Sequence, residues 1–252
     1  MNKYTFEVCI DSVQSAINAQ KGGAHRVELC DNLFEGGTTP SAGMIKQVRK
    51  AIPDIKLFVI IRPRGGDFLY SKEEMDVMLS DIEMAIDLGA DGIVSGCLSP
   101  NGEIDIENTK KLIVASKDKP FTFHRAFDMC RNPLTALEQL IDLGASRLLT
   151  SGLQQTADLG ADMLHQLVTK AKDRIIIMVG SGVKPSNISM LAQKTMAKEF
   201  HFSARKRHDS AMQYQNENIN MGGVDGLPEF SIFYSDLETI KQTIRNVSNP
   251  QV

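Results

Sequence analysis

The chain is 252 residues long, 42% hydrophobic and 23% charged, with nineteen glycines, nine prolines and no tryptophan. That alphabet excludes a disordered, collagen-like or low-complexity chain, and the length is ample for a self-sufficient core. Twenty-eight basic against thirty-one acidic residues give a formal net charge of -3, so overall composition supplies no electrostatic drive toward nucleic acid.

The amino-terminal MNKYTFEVC passes directly into an alternating apolar pattern without the long h-region of a signal peptide, and no apolar run approaches a membrane span. A cytoplasmic address with no membrane or nucleic-acid partner is expected. Cys9, Cys30, Cys97 and Cys130 lie far apart without CxxC spacing, which reads as reduced thiols and not as a zinc ribbon or disulfide framework.

In chain order, strand-length apolar runs fall near 4–9, 25–30, 57–62, 91–95, 120–124, 146–150, 175–179 and 198–202. Helical patterns lie near 12–21, 41–50, 73–88, 105–116, 133–143, 158–170 and 186–193, and one near 229–246 closes the chain. Asp11 and Ser41 read as N-cap signals, and Pro133 suits a first helical turn. QKGGAHRVELC, DLGADGIVSG and DLGASRLLTSG repeat one device: Gly23, Gly89 or Gly144 ends a helix, an alanine follows, and a short strand begins. Eight such units in about 250 residues predict an α/β fold, a TIM (β/α)8 barrel forming a single domain over 1–252. A long polar loop is expected near 203–228, before the last helix. A dinucleotide-binding sheet is disfavoured because CIDSVQSA, after the first strand, holds no glycine.

Alternation places Glu7 with Cys9, and Arg26 with Glu28 and Cys30, on single strand faces. If those faces point into the barrel, the carboxylates need partners. IIRPRGGDF offers Arg62 at a strand end with Arg64 and Asp67 beyond it, and FTFHRAFDMC offers His124, Arg125 and Asp128. Arginine grips anions through two prongs and histidine moves protons near neutral pH, so Glu7, Glu28, Arg62, His124, Arg125 and Asp128 form a candidate catalytic set. The structural alternative is an Arg–Glu ladder that closes the barrel. His201 alternates with Glu199 and Ser203 in the same way, and a functional and a structural reading of it stay equally open. Arg64, Ser151, Gly180, Gly182 and Ser203 are candidate anion-binding residues in strand-end loops, where barrels often hold phosphate. Cys9 and Cys30, at the ends of adjacent strands, are candidate ligands for a soft cation such as copper(I).

Over nearly its full length the chain resembles the CutC copper homeostasis protein family, through FEVC, GAHRVELCDNLFEGGTTPS, VIIRPRGGDFLYS, FHRAFDMCRNP, RLLTSG and HFSAR. The resemblance implies a TIM barrel, copper handling in the cytoplasm, and Cys9 and Cys30 as the copper-associated cysteines. Some relatives carry adjacent cysteines where Ile10 follows Cys9 here, and arginine where Gln215 stands. Two function classes follow: a copper(I)-binding protein, and an enzyme using acid/base chemistry on a small phosphorylated or carboxylated anion. Arg62 would hold that anion while His124 or Glu28 exchanges a proton. Assembly into a homo-oligomer is left open.

Overall fold

A computed structural model, describing residues 4–216, 218–219 and 229–248, shows a (β/α)8 barrel. Its parallel strands are β1 (Thr5–Ile10), β2 (Arg26–Leu29), β3 (Lys56–Ile60), β4 (Gly92–Ser95), β5 (Phe121–Phe123), β6 (Arg147–Thr150), β7 (Ile176–Val179) and β8 (Glu199–Phe202). Each pairs with the next, and β8 returns to pair with β1, setting Glu7 opposite His201. Helices α1 (Val13–Gly22), α2 (Ala42–Ala51), α3 (Lys72–Asp87), α4 (Ile106–Ala115), α5 (Pro133–Asp142), α6 (Ala161–Ala171), α7 (Ile188–Thr195) and α8 (Leu237–Ser248) accompany the strands.

The glycine device operates three times. Gly23, Gly89 and Gly144 have φ of 91°, 96° and 83°, and the amides of Ala24, Ala90 and Ala145 reach back five residues to Ala19, Ala85 and Leu140. This is the Schellman closure, in which the left-handed residue turns the chain and its successor satisfies a late helical carbonyl. Each alanine is buried, so the turn leads straight into the next strand.

Strand parity divides the residues between two environments. Outward-facing Val8, Val27, Val59, Ile93, Leu148 and Val179 pack with helical Ile45, Met78, Leu112, Leu140, Leu164 and Leu191 in one apolar shell. Inside the barrel, charged side chains share the space with Phe58, Ile60, Val94, Leu149 and Met178. Arg26 bonds to Glu7 and, at 2.8 Å, to Glu199, while Arg147 meets Glu199 at 2.6 Å. The Phe58 ring lies under both guanidinium groups, 4.8 and 5.6 Å from its centroid. A side chain at Gly92 would collide with that ring, so the fourth strand yields its inward position to the third.

Three expectations need correction. The cap of α1 is Ser12, whose hydroxyl accepts the Ser15 amide; Asp11 instead pairs with Arg205 at 3.0 Å. Within 203–228, expected to be a loop, lies strand β9 (Arg205–Asp209). It pairs antiparallel with β10 (Ser231–Ser235), so the final helix begins at Leu237 and not near 229. The alternating SIFYS segment is a strand, held by Ser15 and Asn18 of α1. Residues 217 and 220–228 of the expected loop lie outside the described residues.

Candidate functional site

A cleft of about 450 Å³ opens at the carboxyl-terminal ends of the strands, where barrel architecture gathers strand-end side chains and loops. Cys9, Glu28, Cys30 and His201 line it with Ile60 and Leu149, and Arg62, Phe68 and His124 belong to the same lining.

The deepest group is organised by Glu7. Burial would raise its carboxyl pKa, but Arg26 and His201 overcome that and hold it at about 2. His201 Nδ1 sits 2.7 Å from Glu7 Oε1, and its Nε2 is 3.6 Å from Glu28 Oε2. Burial opposes a charged imidazole, yet Cys9, Glu7 and Glu28 together push the His201 pKa well above its usual value. Glu28 moves the other way from Glu7: burial, with Cys9 next in importance, raises it well above the carboxylate range. Neighbouring carboxyls are thus driven apart, Glu7 downward beside Arg26 and His201 and Glu28 upward beside sulfur.

Cys9 Sγ and Cys30 Sγ are 3.7 Å apart, and both residues are buried. Their contact makes one thiol easier to ionise than the other. The hydrogen bond from Cys30, with His201 assisting, brings Cys9 down to about 6, while the same contact and burial raise Cys30. Cys9, Cys30 and Glu28 each offer a ligand atom, all within 4.8 Å of one another. Two bonds of about 2.3 Å, the zinc–thiolate length, span more than the sulfur separation. One soft ion can therefore touch both sulfurs in a bent arrangement, leaving a direction for a third donor.

Arg62 and His124 are buried and flank the Phe68 ring, at 5.0 and 5.1 Å from its centroid. Arg62 gives its terminal nitrogens to the carbonyls of Glu35, Gly37 and Gly66, at 2.9, 2.9 and 2.8 Å. It clamps two loops and does not partner Glu28, contrary to the arginine expected there. His124 Nδ1 accepts the Ala126 amide at 3.3 Å. Burial first and Arg62 second lower its pKa to about 3, so the ring is neutral with its proton on Nε2. The lone pair of Nδ1 is engaged by the backbone amide, which leaves Nε2 as the ring's donor.

The model of the CutC family matches residues 4–206. The chain belongs to the CutC family. A CutC family protein of Bacteroides fragilis is 51% identical over 249 residues, covering 99% of both chains. The human copper homeostasis protein cutC homolog is 45% identical over 240 residues, covering 95% of this chain and 88% of its own. The crystal structure of a protein bearing the CutC name from Streptococcus agalactiae superposes with a TM-score of 0.76 at 36% identity, covering 79% of this chain and 98% of that one.

In this CutC barrel the residues singled out from sequence fall into three groups. Cys9, Glu28, Cys30, Arg62, His124, Arg125, Asp128, Gly182 and Ser203 line the cleft, whereas Glu7 is fully buried among its ionic partners. Asp128 is occupied structurally, accepting from Arg125 Nε, Thr150 Oγ1 and the Ser151 amide and hydroxyl. Ser151 is thereby consumed, and Arg64 turns to Glu74 and Asp67 at 2.5 and 3.1 Å. Gly180 is pressed against Leu149 and His201, where a side chain would collide with Leu149. The sequence patterns do not single out Glu199 and Arg147, and His201, open to two readings there, joins the site through Glu7. Barrel closure supplies the signal for His201: its strand borders the first, so its inward residues stand level with Glu7.

The CutC thiols are close, but their strands resist a covalent link. Cys9 is in register with Glu28, which sets the α-carbons of Cys9 and Cys30 about 8 Å apart by ordinary strand spacings, beyond the disulfide range. We expect mild oxidation of the folded protein to yield no Cys9–Cys30 bridge in non-reducing peptide mapping by mass spectrometry. A bridge formed in most molecules with the fold intact would show that the register yields readily.

Proposed function

We propose that this CutC family member takes part in copper homeostasis in the cytoplasm, receiving copper(I) as cargo at Cys9 and Cys30. The observation that carries the reading is the 3.7 Å separation of two buried sulfurs in the lining of an open cleft. Sulfur donors favour copper(I) over hard ions, and the easier ionisation of Cys9 supplies the thiolate that binds it. Glu28 is placed to complete a three-donor set. The name of the human relative points the same way. All four cysteines are free, in keeping with a reducing compartment, and among the described residues no helix is long and apolar enough to cross a membrane.

The test is competition with a copper(I) chelator under reducing conditions. The Cys9→Ser, Cys30→Ser double variant should stay folded, because the apolar shell between strands and helices is independent of these side chains. Its copper(I) affinity should fall by more than about 100-fold, the upper range for losing only an outer-shell partner. Equal affinity in the two proteins would remove the pair from the function.

A further inference from the structure

We infer that the cleft takes a second ligand besides a soft ion at the thiols: His124 Nε2–H donates a hydrogen bond to the carboxylate of a small organic acid held beside Arg62. The inference does not depend on copper binding at Cys9 and Cys30.

His124 Nδ1 receives the Ala126 amide, so the hydrogen of the neutral ring resides on Nε2, at the far side of the imidazole. That nitrogen is buried and has no hydrogen-bond partner among the described residues, although the side chain lines the cleft. A buried N–H without an acceptor is costly, and such groups point to a partner or a function. Nε2 cannot serve as a metal ligand or a base while Nδ1 remains an acceptor. What it offers is a fixed donor.

Charge then selects the ligand. Arg125 is paired with Asp128 at 2.7 Å, and His201 with Glu7 at 2.7 Å. The terminal nitrogens of Arg62 meet neutral carbonyls. Its positive charge acts on the same Phe68-bordered region that His124 adjoins. Among the described residues of the cleft, one cation without an ion-pair partner plus one neutral donor suits a monoanionic group; a phosphate dianion would leave excess negative charge in a cleft also lined by Glu35. Phe68, Met129 and Val183 offer apolar contacts for a short carbon chain.

The experiment titrates full-length protein with acetate, malonate, succinate, citrate and, separately, inorganic phosphate. Binding is followed by calorimetry and by the ring-nitrogen NMR signals of His124. At least one carboxylate should shift the Nε2 signal saturably, and His124→Phe should weaken its binding about tenfold or more, as expected for a hydrogen bond to a charged group. The Cys9→Ser, Cys30→Ser variant should bind that carboxylate as wild type does, which separates this site from the copper site. The wild-type NMR signal decides the matter even if His124→Phe does not fold. No saturable shift with any carboxylate, or phosphate binding as tight as the best carboxylate, would overturn the assignment.

Discussion

Replacing Glu199 by leucine is expected to cost about 3–5 kcal/mol of folding stability, the usual penalty for stranding a buried charge. Arg147 directs Nε and Nη2 to Glu199, and its Nη1 already lacks a partner among the described residues. Removing the carboxylate leaves Arg147 as an isolated cation inside the barrel, whereas Arg26 keeps Glu7. The double variant Glu199→Leu, Arg147→Met should recover most of the loss, because an apolar pair can replace a buried ionic pair at little net cost. Urea unfolding of the two variants checks both statements. A single variant within about 1 kcal/mol of wild type would class the ladder with weak exposed pairs.

His124 should make the protein acid-sensitive. Its pKa is about 3 in the fold against about 6.5 for an ordinary histidine. Between these values the unfolded chain binds a proton that the folded protein refuses, so stability falls as pH drops from 6.5 toward 3. The contribution is about 2 kcal/mol by pH 5 and about 5 kcal/mol when the window is crossed. Other groups act in the same range. Glu28, raised in the fold, gains stability on acidification toward the ordinary carboxylate range, whereas Glu7 loses its contribution from about 4.5 down to about 2. The raised His201 contributes fully below about 6.5 and loses that contribution as pH rises through its folded value. Comparing His124→Phe with wild type isolates the histidine. The stability difference should shift by about 2 kcal/mol in favour of the variant between pH 7 and pH 5. A difference that stays constant would mean that His124 titrates as in water.

The barrel was legible because its punctuation is local. Gly23, Gly89 and Gly144 announce helix ends within a few residues, and strand parity alone puts Glu7, Glu28 and Cys9 inside. Local patterns say less about long-range partners. Nothing near Glu28 reveals that it faces His201, 173 positions later by numbering, or that Arg62 spends its hydrogen bonds on loop carbonyls. His124 shows the same limit. Its strand-end position draws attention to the cleft, but its proton location depends on the turn that presents the Ala126 amide. The short strands β9 and β10 were obscured because polar Arg205–Asp209 gains its pattern only from the partner that covers it.

The ionic ladder also bears on the order of assembly during synthesis. Glu7 and Arg26 belong to the first two strands, but Glu199 and His201 arrive on the strand that closes the ring. Until that strand emerges from the ribosome, the early acid and base lack part of their ionic setting and remain open to water. The sealing step therefore coincides with delivery of the final charges, and a nascent barrel lacking β8 cannot bury its polar axis without leaving those charges incompletely paired.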